Sequence, residues 1–175
     1  MEQSDVQRLL DLEQIKQLKA RYCRFIDTKQ WQRLRSLFTD GARFEGFRAA
    51  PSGADADTFV KGVSTRLKDA ISIHHCHTPE IVFTDASGAR SVWAMMDYLE
   101  WPSPVNLPEA LPGAPPTHGF YGFGHYEEEY RKIGDDWKMH FVRLTRLRID
   151  PLPEGRPAPG PILLAASPGW LNSAA

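Results

Sequence analysis

Cysteine is scarce in this chain of 175 residues, with Cys23 and Cys76 the only two. Two thiols cannot build the bridge framework of a small secreted domain, so a reducing compartment is the simpler expectation. Charge of one sign is lacking as well. Lys and Arg number 21 against 22 Asp and Glu, the net charge is −1, and no basic run is dense enough to form a patch. That balance excludes a global pull toward nucleic acid or an anionic membrane surface. Apolar runs last only a few residues, too short to span a bilayer. The opening MEQSDVQRLLDLEQIK carries charges where a signal peptide would have its apolar centre. These absences lead us to expect a soluble, cytoplasmic protein with no nucleic-acid or membrane partner. An internal repeat is missing too, and the length suits one domain with a sizeable core.

What is present falls into two halves. In SDVQRLLDLEQIKQLKARYCRFID, Ser4 and Gln7 stand at capping-box spacing, and Leu12, Ile15, Leu18, Tyr22 and Phe25 recur on one helical face. Asp27 and Thr28 interrupt that pattern. Thr28 is placed to cap a second helix carrying Trp31, Leu34, Leu37 and Phe38, with TDG at Thr39–Gly41 as its stop. ARFEGF reads as a short strand, and Phe59, Val63 and Leu67 predict a third helix ending just before IHHCHTPEIVF. From there the period changes to two. EIVFT, the turn DASG and ARSVWAMMDYLEW read as a strand pair, and HGFYGFGHYEEEYRKI and WKMHFVRLTRLRID as a long hairpin about GDD. Between them, the proline-rich Pro102–Thr117 reads as a loop or a flap over a pocket. Helices first and long strands last predict an α+β fold, a single domain over residues 1–150. The sheet would be curved and mostly antiparallel, forming a cone covered by N-terminal helices, with a pocket between. Residues 151–175 read as an irregular Pro/Gly/Ala-rich tail, whose Ile162, Leu163, Leu164 and Trp170 would need an apolar surface to dock on.

Chemistry concentrates at the histidines. In an extended chain His74 and Cys76 point to one side, His75 and His77 to the other. His75 and His77 make an H-x-H pair, but no third ligand stands at a recognisable spacing, so no metal is expected. Asp97 shares a strand face with Ser91, Trp93, Met95, Leu99 and Trp101. A carboxylate in that apolar row must be paired, protonated or turned to a cavity, because a bare buried charge is expensive. Either this is the solvent face of a partly open sheet, or Asp97 pairs with a structural Arg, or it serves a site. Taken alone, Tyr22 reads as core packing and Asp27 as a cap or turn residue.

In their order, YCRFIDTKQWQRLRSLFTDGARF, SIHHCHTPEIVF, ARSVWAMMDYLEW, GHYEEEYRKIGDDWKM and LTRLRID resemble the SnoaL-like branch of the nuclear transport factor 2-like superfamily. The likeness spans most of Leu9 to Asp150, apart from the proline-rich segment. The nearest patterns are those of bile acid 7α-dehydratase-like and hexachlorocyclohexane dehydrochlorinase-like members. Both place an Asp at the helix end, which falls on Asp27, and a His before a PEI-type strand, which falls on His74. The dehydratase-like pattern adds a Tyr at Tyr22, an Asp at Asp97 and an Arg on the last strand, Arg146, with Arg143 and Arg148 close by. The dehydrochlorinase-like pattern has Lys where this chain has Tyr22.

The resemblance therefore implies a cofactor-independent lyase, of dehydratase type, acting on a hydrophobic polycyclic or aromatic small molecule. Its catalytic set would be Tyr22, Asp27, His74, Asp97 and Arg146, with no cofactor and no metal. His74 would be the base, Asp27 or Asp97 its orienting carboxylate, Tyr22 a hydrogen-bond donor and Arg146 a stabiliser of negative charge. An isomerase or cyclase would use the same groups, whereas a non-catalytic ligand-binding or subunit module on this fold would not need them. The same likeness implies a homo-oligomer, a trimer or a dimer, with the tail packed on its own or a neighbouring subunit.

Overall fold

In the computed structural model, helices α1 (Gln3–Asp27), α2 (Trp31–Arg35) and α3 (Ala56–Leu67) cover a five-stranded sheet. The strands are β1 (Phe38–Glu45), β2 (Ile71–Phe83), β3 (Gly88–Val105), β4 (Thr117–Ile133) and β5 (Asp136–Pro151), in the order β1-β5-β4-β3-β2. The structure describes residues 3–107, 112–113, 115–155, 157 and 171. No described helix is long and apolar enough to cross a membrane.

The fold is the expected α+β cone, a curved, unclosed sheet with N-terminal helices. All pairings are antiparallel except β1 with β5. Its three longest strands have 18, 17 and 16 residues. Straight strands of that length would run roughly 55–60 Å at about 3.4 Å per residue, so they must coil to enclose a core. The register shifts along β3, β4 and β5 mark where they do. The face of β3 that carries Asp97 looks inward: Ser91, Trp93, Met95, Asp97, Leu99 and Trp101 are all buried. Trp93, Met95, Leu99 and Trp101 join Ile15, Leu18, Tyr22 and Phe25 from α1 and Phe59, Val63 and Leu67 from α3 in one continuous apolar cluster. Asp55 caps α3 by accepting a hydrogen bond from the Thr58 N–H at 2.8 Å.

Several local expectations give way to tertiary context. α1 already includes Ser4, so Ser4 is not its cap. α2 is a single turn with Gln30, not Thr28, at its N-cap, and the Thr28 hydroxyl instead donates to the Arg24 carbonyl at 2.6 Å. Phe38 and the TDG predicted to stop a helix lie within β1, which pairs with β5 at Phe38 and again from Arg43, with the TDG in the irregularity between. β2 begins at Ile71, so the histidines are part of the strand rather than a prelude to it. The proline-rich segment gives up its first residues to the sheet, since Val105 pairs with Thr117. At the other end Pro151 pairs with Phe120, and the Leu152 N–H donates to the Gly119 carbonyl at 2.9 Å. The start of the tail thus extends the ladder, contrary to expectation. The rest of that expectation, concerning Ile162, Leu163, Leu164 and Trp170, lies outside the described residues, as do residues 108–111 and 114 of the proline-rich segment.

Candidate active site

The site begins with how α1 ends. Lys29 has φ 59°, and the Lys29 N–H donates to the Ile26 carbonyl while the Gln30 N–H donates to Phe25. This is a Schellman closure with lysine in the left-handed position usually given to glycine. The Lys29 ammonium then donates to the Ser72 hydroxyl on β2 at 2.7 Å. The helix stops directly after Asp27 and its end is tied to the strand that carries His74.

Asp27 holds His74 twice. One carboxylate oxygen accepts the His74 backbone N–H at 2.8 Å, and the other lies 2.6 Å from Nδ1. A carboxylate at Nδ1 favours the tautomer with its proton there, leaving Nε2 as the basic nitrogen. The His74 side chain is buried and lines a cavity of about 390 Å³. His75 and His77 are exposed on the opposite side of the strand. Among the described residues no three His, Cys, Asp or Glu side chains gather as a metal site would require.

Asp97 stands directly across the ladder from His74, and Gly122 directly across from Asp97. Direct neighbours in an antiparallel ladder share a face, so these three positions form a row across β2, β3 and β4. Asp97 is only 2% exposed and takes a bidentate pair from Arg146, at 2.7 and 2.6 Å. Of the two carboxylates considered for holding His74, Asp27 makes the contacts, and Asp97 is committed to Arg146. Burial opposes the Arg146 charge, but the bonds and charge of Asp97 outweigh it and hold its pKa above the ordinary arginine value. Of the other two arginines, Arg143 sits outside in ion pairs with Glu45 and Glu127, and the largely exposed Arg148 pairs with Asp150 at the cavity rim.

Gly122 is required by this pair. A Cβ there would lie 2.2 Å from both an Arg146 nitrogen and an Asp97 oxygen. The Arg146–Asp97 bridge occupies the space a side chain would take, a use of strand glycine that the pattern GFYGFG hides.

Tyr22 lines the cavity at 1% exposure, edge-on to Tyr126, with ring centroids 5.8 Å apart. Burial, reinforced by the Glu128 charge, pushes the Tyr22 phenol well above its ordinary pKa. Tyr126 is raised by burial too. Both therefore remain protonated and able to donate. Ile26, Phe59, Val63, Leu99, Phe120 and Leu144 supply apolar wall around the polar row, and Arg48, Arg66 and Arg148 add basic side chains to the lining.

One group of residues behind the tyrosines escaped sequence reasoning. Lys19 (1% exposed) forms an ion pair with Glu128 (2% exposed), and Glu128 also accepts the Tyr130 hydroxyl. The Trp93 indole donates to the Tyr130 oxygen at 3.0 Å, and the Ser91 hydroxyl lies 2.9 Å from it. The Lys19 ammonium lies 3.4 Å from the Tyr126 ring centroid and 4.3 Å from that of Tyr22, a cation–π sandwich. Burial works against its charge, and Glu128 outweighs it, so the Lys19 pKa is raised. The available signal was positional: Lys19 shares the buried face with Ile15 and Tyr22, and Glu128 shares the inward face of β4 with Tyr126 and Tyr130.

The SnoaL-like domain family model matches residues 7–143, and the chain belongs to that family. The match ends just before Arg146. "Probable cyclase FGR4" of Gibberella zeae is 29% identical over 143 residues, covering 76% of this chain and 89% of that one. Among solved structures, a scytalone dehydratase-like protein of Novosphingobium aromaticivorans superposes with a TM-score of 0.68 at 16% identity. It covers 86% of this chain and 97% of its own. The hexachlorocyclohexane dehydrochlorinase LinA-type3 of Novosphingobium barchaimii gives 0.67 at 20% identity, covering 89% and 99%. At these identities the structural likenesses establish the fold.

Proposed function

We propose that this SnoaL-like chain is a cofactor-independent lyase that removes water from a hydrophobic polycyclic or aromatic molecule, with His74 as its base. The observation carrying this reading is the Asp27–His74 dyad, set in an apolar cavity beside the Arg146–Asp97 pair and the Tyr22 phenol. His74 Nε2 takes a proton from a carbon acidified by a neighbouring carbonyl, and Asp27 stabilises the imidazolium that results. Negative charge gathering on the carbonyl oxygen is met by Arg146 and by the neutral Tyr22 donor in a site with little competing water. The hydroxyl on the next carbon leaves as water, taking the proton now held by His74. The apolar part of the wall, from Ile26 to Leu144, matches the hydrophobic body of such a substrate, and Arg48, Arg66 and Arg148 suit its oxygen substituents.

The test is incubation of the purified protein with a panel of hydroxylated ketosteroids and β-hydroxy aryl ketones, following product mass for the loss of water. At least one class should be dehydrated, and His74→Gln should lower turnover by about 10²–10⁴-fold, the range of general acid–base catalysis. Turnover unaffected by His74→Gln would overturn the assignment of the base. The cyclase-named relative at 29% identity favours one second reading, a cyclase or isomerase in which the proton returns to carbon. Substrate that loses no water but acquires deuterium from heavy water, or a rearranged isomer, would select it.

A further inference from the structure

We propose that Cys23 and Cys76 form a redox-modification site, oxidised by peroxide to a reversible disulfide that staples α1 to β2 directly behind the Asp27–His74 dyad. Their sulfurs are 3.5 Å apart, both are free, Cys23 is buried and Cys76 is partly exposed. They are the chain's only cysteines, so no third thiol competes for either partner.

The register of helix on strand produces this approach. Asp27 meets His74 and Cys23 meets Cys76. Four residues of helix advance about 6 Å, and two residues of strand about 6.6 Å. The two spacings match, so a single antiparallel docking of α1 on β2 makes both contacts. His74 and Cys76 share the strand face toward the helix, and Lys19, Cys23 and Asp27 follow at i, i+4 and i+8 on α1. A bond at the cysteines therefore fixes the same register that holds the dyad.

The two thiols are not equivalent. The contact between them lowers the Cys76 pKa and raises that of Cys23, and the buried Lys19 ammonium favours the thiolate at both. A thiolate near a cation that oxidant can reach is the attacking partner. In the first step the Cys76 thiolate attacks one peroxide oxygen. The O–O bond breaks, Cys76 becomes a sulfenic acid, and the other oxygen leaves as hydroxide, which becomes water with the proton Cys76 released on ionising. In the second, the Cys23 sulfur attacks the Cys76 sulfur, and the displaced hydroxide takes the Cys23 proton and departs as a second water. Two thiols and one hydrogen peroxide become one disulfide and two waters. The sulfurs need to close only from 3.5 Å to about 2 Å.

The experiment treats the full chain with a slight excess of hydrogen peroxide. Thiols are counted with an aromatic disulfide reagent, intact mass is recorded, and thermal unfolding is followed before and after dithiothreitol. We expect both thiols to disappear together, the mass to fall by two hydrogens, and the chain to run as a monomer on a non-reducing denaturing gel. The unfolding midpoint should rise by roughly 10 °C and return on reduction, since the bridge constrains the unfolded chain. In Cys23→Ala, Cys76 should instead gain oxygen with no rise in midpoint. Persistent thiols, oxygen gain without loss of hydrogens in the wild-type chain, disulfide-linked dimers, or an unmoved midpoint in the oxidised chain would each overturn the proposal.

Discussion

Replacing Gly122 by alanine adds one methyl group, and the structure says where it must go. The new carbon would sit 2.2 Å from an Arg146 nitrogen and 2.2 Å from an Asp97 oxygen, with the guanidinium carbon at 3.0 Å. Both side chains would have to move by more than an ångström, and they are the two halves of one bidentate bridge. Asp97 cannot swing out to water, being 2% exposed in the middle of an apolar row. Breaking a buried ion pair outright costs about 3–5 kcal/mol. Here one of the two hydrogen bonds can survive, so we expect a loss of about 2–3 kcal/mol. For a chain of 175 residues that lowers the thermal midpoint by about 4–12 °C, measurable by circular dichroism or calorimetry. The same change made in an Asp97→Ala/Arg146→Ala background should cost almost nothing, because the space is then vacant. A Gly122→Ala chain that melts like the parent, or one whose loss is as large in that background, would refute the reasoning.

Lys19→Met should destabilise the protein by about 3–5 kcal/mol in urea unfolding by leaving Glu128 charged and buried, and Lys19→Met/Glu128→Gln should recover much of that. Asp27→Asn should leave the thermal midpoint within a few degrees while lowering turnover at least tenfold, since the amide still accepts from the His74 backbone but cannot balance an imidazolium. His75→Ala should change neither turnover nor midpoint measurably, as its ring faces solvent. Burial alone would raise the Asp11 pKa, but hydrogen bonds from Lys132, Trp137 and Gln7 hold it below 3.8. Its contribution is therefore full above that ordinary value and is lost as the pH falls through the depressed one. Acid unfolding of Asp11→Asn should show a shallower dependence on pH below about 4 than the parent.

Periodicity alone determined much of this protein. The helical repeat of Ile15, Leu18, Tyr22 and Phe25, the repeat of Phe59, Val63 and Leu67, and the alternation from Ser91 to Trp101 each became the buried face they implied. A side chain's face follows from the geometry of its own element, so it was legible that His74 and His75 face opposite ways, while the choice of His74 as the inward one came from the family resemblance. Partnership was not. Arg146 and Arg148 have the same parity in LTRLRID and are not told apart until the β4–β5 register sets Arg146 beside Gly124, with β4 alone between it and the strand of Asp97. Whether Asp27 or Asp97 holds His74 depended on where α1 stops, and Lys29 supplied that stop without the glycine that would have announced it. Phe38–Gly41 carried the signals of a helix end and became part of an edge strand, since β1 docks beside β5 at Phe38 and at Arg43–Glu45 on either side of the TDG. Lys19 and Glu128 are separated by 109 positions, and nothing local says that one buried charge will find the other. Local geometry fixes the direction of a side chain, but what it meets is fixed by strand register and helix docking, which are properties of the whole core.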